Sequence, residues 1–366
     1  MITFTESVPA FDTCHEILGY IPGNSLFFDI ETTGFSPASS MVFLIGMLFC
    51  ENGGWKLTQL LAENPEDEPS LLRAFFDTAA RYDTLIHFNG STFDLPYLIK
   101  KAGSYGLAHE LGRLHSLDLY QTYRPLGKFF SLERMNQRSL EAFLGWQRED
   151  RLTGKHMVSL FQKYAASREP GIRDLLLLHN HDDMLGMTHL LCLSSYLLLF
   201  DGHIKEVQKA ELIPSSENNE DSADIPSCLE LSFTLSRPVP AAVSADGAYR
   251  LYARDDSAVL QIPFFSGTLC HFFPDYKNYY YLPLEDQAIH KSVASYVDKA
   301  YRTPAKASNC YIKKSGQFLP QPEEIISPAF QCSLGSSELY FAYSDSLLSE
   351  SETLNAYISA VLRSLQ

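Results

Sequence analysis

The acidic residues that follow the first apolar run are the earliest whose types and spacing suggest chemistry. Asp29 and Glu31 lie two positions apart at the end of Ser25–Phe28, whose composition predicts a buried strand. Residues two apart on a strand point to the same face. Two carboxylates held side by side repel each other, so a proton or a cation must lie between them. A hard divalent ion meets this need; the alternative is a polar strand end before the turn Thr32–Gly34.

Two further polar groups follow along the chain. Asp94 opens a predicted helix after the short strand Thr84–Phe88, a position where aspartate is also an ordinary helix N-terminal acid. His179–Asp183 is a polar run inside an apolar predicted helix over 172–200, and a solvent-facing helix edge is its alternative interpretation. Together the segments supply four carboxylates, as two divalent ions require when each also binds water and phosphate oxygens.

The elements that must position these residues are short strands alternating with helices. After a lead-in over 1–24, three strands near 25–30, 41–49 and 55–60 form a predicted meander with a Gly-rich hairpin. Further short strands then alternate with helices, which predicts an α/β domain with a mixed five-stranded sheet flanked by helices. The sequence has no Gly-rich phosphate loop after the first strand, so dinucleotide-binding and P-loop domains are excluded.

Length and composition predict two domains in this 366-residue chain. Residues 1–205 are predicted as the α/β domain, 206–228 as an acidic linker, and 229–366 as an auxiliary α+β domain of unknown function. The elements predicted in this last part are short strands within 229–273, a helix over 285–300 and a final helix over 346–365.

The charge distribution bears on the partner. A net charge of −15 disfavours non-specific coating of nucleic acid but allows an enzyme that grips one strand end through metal ions. Gln287–Phe318 is the exception, because six basic residues against Asp298 give it a balance of +5 beside several tyrosines. Such a segment suits the phosphates and bases of a single strand, or its tyrosines are core and its lysines a solvated face.

Cysteine usage and hydropathy bear on location. The seven cysteines are scattered singly without a Cys-x-x-Cys pair, which argues against a zinc ribbon or a disulfide scaffold and predicts a cytoplasmic protein. The longest apolar run, Leu190–Phe200, is about half the length needed to cross a bilayer. Met1–Glu6 lacks the features of a secretion signal, so no membrane partner is expected.

The three acidic segments, taken in order, resemble the motifs of the DEDD (DnaQ-like) 3′–5′ exonuclease superfamily, whose domains have a ribonuclease H-like fold. Asp29–Gly34 resembles the first motif, Asn89–Asp94 the second and His179–Asp183 the third. Val42–Gly46 is similar to the YprB-like bacterial branch of these predicted exonucleases. The resemblance covers about residues 20–200, and the part beyond it resembles no family that we recognise.

This resemblance implies a metal site and a pocket for a strand end. The implied metal ligands are Asp29, Glu31, Asp94 and Asp183. Thr32 and Thr33 are implied to lie against the terminal nucleotide, and Asn89 and Phe93 to line the 3′-end pocket. The implied cofactors are two divalent cations, Mg²⁺ or Mn²⁺, of which one activates water and the other stabilises the leaving 3′-oxygen.

The third motif departs from the family pattern. Family members carry a Tyr four residues before the last Asp or a His five before it, and here His179 stands four before Asp183. Asp182 is an alternative ligand, although Asn180 in second place favours Asp183. His179 either deprotonates the attacking water or is only a positioning group. Structural roles are expected for the remaining polar candidates, His87, Asp118 and His181.

The sequence therefore predicts a metal-dependent 3′–5′ exonuclease that hydrolyses single-stranded DNA or RNA from its 3′ end. Nucleic acid is the expected partner, and protein partners are unknown. A catalytically weak or inactive nucleic-acid-binding module and a structure-specific endonuclease, both on the same fold, are the alternatives.

Overall fold

The strands in the first third of the chain form one six-stranded sheet. A computed structural model describes residues 1–214 and 226–366 and divides the protein into two compact units, Met1–Ser195 and Tyr196–Gln366. The strands of the first unit are β1 (Ile2–Val8), β2 (Ser25–Thr32), β3 (Val42–Glu51), β4 (Gly54–Leu61), β5 (Thr84–His87) and β6 (His115–Asp118).

The sheet is mixed, as predicted. Its order is β1-β4-β3-β2-β5-β6, in which β1, β4, β3 and β2 are antiparallel neighbours and β5 and β6 run parallel to β2. The sixth strand, β1, lies in the segment expected to be a lead-in. It has no fully buried residue and pairs only with β4 at the sheet edge, so its sequence lacks the apolar run of the inner strands.

Helices cover both sides of this sheet. In the first unit and across its end, the helices are α1 (His15–Leu18), α2 (Glu68–Ala79), α3 (Asp94–Tyr105), α4 (Leu119–Tyr123), α5 (Gln137–Phe143), α6 (Gly154–Ser167), α7 (Pro170–Leu190) and α8 (Ser194–Phe200). The face of β2 that carries Phe28 packs against Phe75 of α2, with ring centroids 5.2 Å apart. The opposite face of β2 lies against α7, which also contacts β3.

Gly46 on β3 lets α7 approach the sheet closely. A Cβ at this position would lie 2.4 Å from Asn180 Oδ1 and 2.7 Å from Met184 Cγ, inside van der Waals contact. Gly46 is also the β3 partner of Asp29. The missing side chain therefore brings the polar segment of α7 directly over the acidic end of β2.

The helical stretch Pro170–Phe200 is, among the described residues, the one long and apolar enough to cross a membrane by length and composition. Within its most apolar window, 67% of the helix is buried inside the protein. Core helices pass the same length and composition test, so the stretch is weak support for a membrane span.

The second unit is built mainly from three-stranded sheets, ordered β7-β8-β9, β10-β14-β15 and β12-β11-β13 in the described part of the chain. Its strands are β7 (Ile204–Pro214), β8 (Pro226–Ala245), β9 (Arg250–Pro263), β10 (Phe265–Phe272), β11 (Tyr279–Leu282), β12 (Gln287–His290), β13 (Thr303–Pro304), β14 (Tyr311–Gln321) and β15 (Leu339–Ala342). Its later helices are α9 (Lys291–Ala294), α10 (Ser346–Ser349) and α11 (Ser351–Ser364).

Two predicted segments of this unit differ from the structure. Both ends of the expected linker over 206–228 are strand, because β7 and β8 pair with each other; its most acidic stretch, Glu217–Asp224, lies outside the described residues. The helix expected over 285–300 is wrong, since this segment contains β12 and only the short helix α9. The final helix is confirmed by α11.

Candidate active site

Strand β2 presents Asp29 and Glu31 to α7 on one face of the sheet. Asn180 Nδ2 donates a hydrogen bond of 3.1 Å to Asp29 Oδ2, and His179 Nε2 lies 3.4 Å from Glu31 Oε1. Ile30 between them points into the apolar core on the other face. The β2–β3 register shifts between Glu31 and Thr32, so the strand pairing becomes irregular where the acidic pair ends.

Asp94 reaches the same place from the start of α3. Its carboxylate is buried and accepts backbone N–H hydrogen bonds, including one from Ile30. Burial is the largest cause that raises the pKa of Asp94, to about 7. Repulsion from Asp118 and Asp183 also raises this pKa, whereas the backbone hydrogen bonds lower it. Asp94 is thus both the acid in the first turn of α3 and a close neighbour of the acidic pair of β2.

Helix α7 places Asp183 in the acidic cluster, whereas the side chain of Asp182 lies outside it. Asp183 Oδ2 lies 3.4 Å from His179 Nε2, on the side of Glu31. Asp182 Oδ2 instead accepts a 2.8 Å hydrogen bond from the backbone N–H of Asp150. Of the two aspartates that the sequence left open as ligands, only Asp183 thus shares a group with Glu31 and His179, whose ligand atoms all lie within 4.8 Å of one another.

The basic side chains near the acidic cluster do not balance the negative charge of its carboxylates. Burial, followed by repulsion from Asp183 and Asp94, raises the pKa of both Asp29 and Glu31 well above the ordinary range. Oxygen donors concentrated in this way match what divalent ions bind, and His179 adds one nitrogen donor. The donor set therefore fits a divalent metal centre.

Two arginines and two acids that the sequence analysis did not single out surround this cluster. Arg148 Nη1 lies 2.6 Å from Asp183 Oδ1, and the same guanidinium forms a two-bond ion pair with the buried Glu141 of α5, at 2.5 and 2.7 Å. Asp150 Oδ2 lies 2.6 Å from His179 Nδ1 and 2.6 Å from Arg138 Nη2.

Sequence spacing gives no signal for these contacts. His179 and Asp150 are 29 positions apart, and Asp150 lies in the charged run Arg148–Arg151, which is typical of a solvated loop. The available signal is Gly186 on α7, where a Cβ would lie 1.9 Å from Glu141 Oε1. A glycine inside a helix indicates a close neighbour but does not identify it.

The residues expected in the strand-end pocket lie at the end of β2, in the turn after it and in the loop before α3. Thr32 Oγ1 donates to the carbonyl of Gly34 at 3.0 Å, and Thr33 Oγ1 accepts from the backbone N–H of Met41 at 3.0 Å. Asn89 is exposed, with a left-handed φ of 60°. Phe93 is half-buried and lies edge-on to Phe35, with centroids 6.1 Å apart.

Phe35 is a further residue of this region that the sequence analysis missed. It is 92% exposed, which is unusual for a phenylalanine, and its aromatic neighbour Phe93 stands directly before Asp94. The turn after β2 and the loop before α3 therefore present adjacent aromatic rings beside the acidic cluster.

The minor candidates have structural partners. Asp118 Oδ1 caps α4 by accepting from the N–H of Tyr120 at 3.0 Å, and it also accepts from the N–H of Asn89 at 2.8 Å. His87 accepts from the N–H of Gly90, and burial lowers the pKa of His87 to about 4, which keeps the ring neutral. His181 lies 3.3 Å from Asp182 through Nδ1 and 3.4 Å from Glu6 of β1 through Nε2.

Comparison with known families agrees with this arrangement. Residues 26–193 match the family described as the RNase_H superfamily, and the mixed sheet flanked by helices confirms the expected ribonuclease H-like fold of this part of the chain. The match places the acidic cluster in a nuclease-type domain.

Two curated relatives match parts of the chain. YprB of Bacillus subtilis is 27% identical over 190 residues, which cover 50% of this chain and 45% of YprB. A DNA polymerase of Methanocaldococcus jannaschii is 32% identical over 75 residues, which cover 19% of this chain and 5% of the polymerase. The chain thus spans less than half the length of the curated relatives that it matches.

Solved structures show weaker likeness. The family B DNA polymerase of Pyrobaculum calidifontis aligns with a TM-score of 0.39 and 15% identity, covering 71% of this chain and 36% of the polymerase. The Nibbler EXO domain of Aedes aegypti aligns with a TM-score of 0.32 and 13% identity, covering 50% of this chain and 84% of that domain.

Proposed function

We propose that the protein is a metal-dependent 3′–5′ exonuclease that hydrolyses phosphodiester bonds at the 3′ ends of single-stranded DNA or RNA. The observation that carries the proposal is the convergence of carboxylates from β2, α3 and α7 in an RNase H-like domain. A cytoplasmic location, expected from the scattered cysteines, belongs to the same proposal.

The proposed ligands of two divalent cations, Mg²⁺ or Mn²⁺, are Asp29, Glu31, Asp94 and Asp183. When bound, such ions supply water activation and stabilisation of the leaving oxygen. The chain itself orients the donors, since Asn180 holds Asp29 and Arg148 holds Asp183. His179 offers its ring nitrogen to the same group, either as a base or to position a neighbour.

The strand end is proposed to lie against the loops next to this cluster. Thr32, Thr33 and Asn89 would contact its terminal nucleotide, while Phe93 and the exposed Phe35 would stack against a base. Stacking on aromatic rings tolerates any base and needs an unpaired strand. This supports a single-stranded substrate without favouring DNA or RNA.

Asp29→Asn tests the proposal. Removing one buried ligand should lower the rate at which a 5′-labelled single strand is shortened in Mg²⁺ or Mn²⁺ by at least about a thousandfold, because a misplaced cation no longer stabilises the transition state. Asp174→Asn, an exposed acid on the same helix as Asp183, is the matched control and should leave the rate unchanged. Activity that survives both Asp29→Asn and chelation contradicts the proposal.

The same assay separates the alternatives. A strand with a blocked 3′ end should resist an exonuclease, whereas internal cleavage of that strand indicates a structure-specific endonuclease. Metal-independent binding without any cleavage indicates a non-catalytic nucleic-acid-binding module.

A further inference from the structure

The ring of His179 is held in one orientation by a buried acid. Its Nδ1 lies 2.6 Å from Oδ2 of Asp150, whose side chain is only 1% exposed. Arg138 Nη2 lies 2.6 Å from the same oxygen, and because a guanidinium can only donate, this oxygen of Asp150 is an acceptor. Nδ1 therefore carries the ring proton, and the lone pair of the neutral imidazole is on Nε2.

The loop that carries Asp150 is itself fastened to α7. The backbone N–H of Asp150 donates to Asp182 Oδ2 at 2.8 Å, and Asp150 Oδ1 accepts from the N–H of Leu152 at 2.7 Å. The carboxylate thus has donors at both oxygens and little freedom to rotate. This rigidity is what a group that orients a metal-binding histidine requires.

Nε2 of His179 lies near two carboxylates, at distances expected between ligands of one shared cation. Nε2 is 3.4 Å from Glu31 Oε1 and 3.4 Å from Asp183 Oδ2, which is longer than a good N–H···O hydrogen bond. Ligand atoms on one ion with bonds of about 2.1 Å are separated by roughly 3.0–3.4 Å at octahedral or tetrahedral angles. Both His179 separations match ligands of one cation, and the ligand atoms that Glu31, His179 and Asp183 offer all lie within 4.8 Å of one another.

We infer that Nε2 of His179 is a direct metal ligand, in a mixed nitrogen–oxygen site with Glu31 and Asp183, and that Asp150 is its positioning residue. This deepens the proposed function and rests on it. An imidazole ligand favours first-row transition ions over Mg²⁺, so this site selects Mn²⁺ over Mg²⁺. A histidine that served only as a base would contact water and would not enter the ligand shell.

Pulsed electron paramagnetic resonance of bound Mn²⁺ tests the inference directly. The full-length protein with one equivalent of Mn²⁺ should show the coupling of a directly coordinated ¹⁴N nucleus, and this should change to the ¹⁵N pattern when histidine is ¹⁵N-labelled. His179→Gln should abolish the coupling. His181→Gln, two positions on and beside Glu6 and Asp182, is the matched control and should retain it.

Each outcome of the Mn²⁺ experiment either supports or contradicts the inference. Mn²⁺ bound with oxygen ligands only overturns the inference and leaves the proposed exonuclease standing, whereas no Mn²⁺ binding overturns both. The wild-type spectrum suffices even if His179→Gln fails to fold. Asp150→Asn should lower the Mn²⁺ affinity about 10–100-fold and the Mg²⁺ affinity less, and an equal loss for both ions would contradict the positioning role.

Discussion

The candidate site concentrates negative charge where the protein supplies few counter-charges. Asp29, Glu31 and Asp94 are each pushed towards their protonated forms, mainly by burial and also by repulsion from Asp183. Arg148 compensates part of the charge of Asp183, and Arg138 compensates that of Asp150. A site of this kind is least favourable in its ionised, metal-free state, so its stability should depend on both pH and divalent ions.

The pKa of Asp94 determines whether the folding stability rises or falls with pH. Its folded-state pKa of about 7 lies above the ordinary value of 3.8. Between these values the folded state holds a proton that the unfolded chain releases, so the stabilisation is complete at low pH and is lost as the pH rises through about 7. In chelator, we expect the melting temperature to fall by roughly 5–10 °C between pH 5 and 8.

Asp94→Asn should make this slope shallower, and Asp77→Asn, an exposed acid on α2, should not. Added Mn²⁺ should raise the melting temperature of the wild type more at pH 8 than at pH 5, because the ion competes with protons for the carboxylates. Identical slopes in wild type and Asp94→Asn would show that this carboxyl is not the titrating group.

The residues of this site differ in how far sequence could predict them. Asp29 and Glu31 follow from the two-residue period of a strand, and Asp94 from a strand that ends where a helix begins. The sequence used Asn180 only to favour Asp183 over Asp182, and its hydrogen bond to Asp29 is a finding of the structure. Asp150 and Arg148 could not be predicted, since their partners are chosen by the packing of a loop on α7 and not by local spacing.

Arg148, in the loop after α5, links α5 to α7 through ion pairs with Glu141 and Asp183. The side chains of Arg148 and Glu141 are 7% and 2% exposed, and the same arginine contacts Asp183. Gly186 of α7 leaves the space that Glu141 fills. Removing one partner of such a pair leaves a buried charge uncompensated, which typically costs about 3–5 kcal/mol.

Arg148→Met should therefore destabilise the first unit by about 3–5 kcal/mol in denaturant unfolding, and the double variant Arg148→Met/Glu141→Gln should recover part of that loss. Arg151→Met, an exposed arginine of the same loop, is the control and should have little effect. If the double variant is no more stable than Arg148→Met, the uncompensated charge of Glu141 is not the cause.

The two halves of the chain were predictable to different degrees. In the first, long apolar runs indicate the inner strands, while the edge strand β1 lacks such a run. In the second, Tyr279–His290 is a hairpin whose turn includes Asp286 at φ 49°, a conformation that aspartate tolerates and that no local apolar pattern reveals. Its pairing partner β13 is a further 13 residues on, so the sheet is defined by non-local contacts.

Part of the basic segment Gln287–Phe318 contacts this hairpin. Lys313 is ion-paired with Asp286, whose other oxygen accepts hydrogen bonds of 2.6 Å from the hydroxyls of both Tyr281 and Tyr311. Arg302 lies over the ring of Tyr280, with its guanidinium carbon 4.8 Å from the centroid. Lys313 and the neighbouring Lys314 are both exposed on β14, but Lys313 is ion-paired with Asp286.

Adjacent lysines with different surroundings allow the predicted nucleic-acid interaction to be tested within one strand. If the exposed basic residues bind phosphates, Lys314→Glu should weaken binding of a single-stranded oligonucleotide and make its salt dependence shallower, by about 0.7 in slope for each phosphate that the protein no longer neutralises. Lys313→Glu should instead lower the melting temperature, because it places a second acid beside Asp286. Lys209→Glu, an exposed lysine on β7, controls for the change in net charge. Equal salt slopes for Lys314→Glu and Lys209→Glu would mean that β14 does not bind nucleic acid and that its tyrosines and lysines are structural.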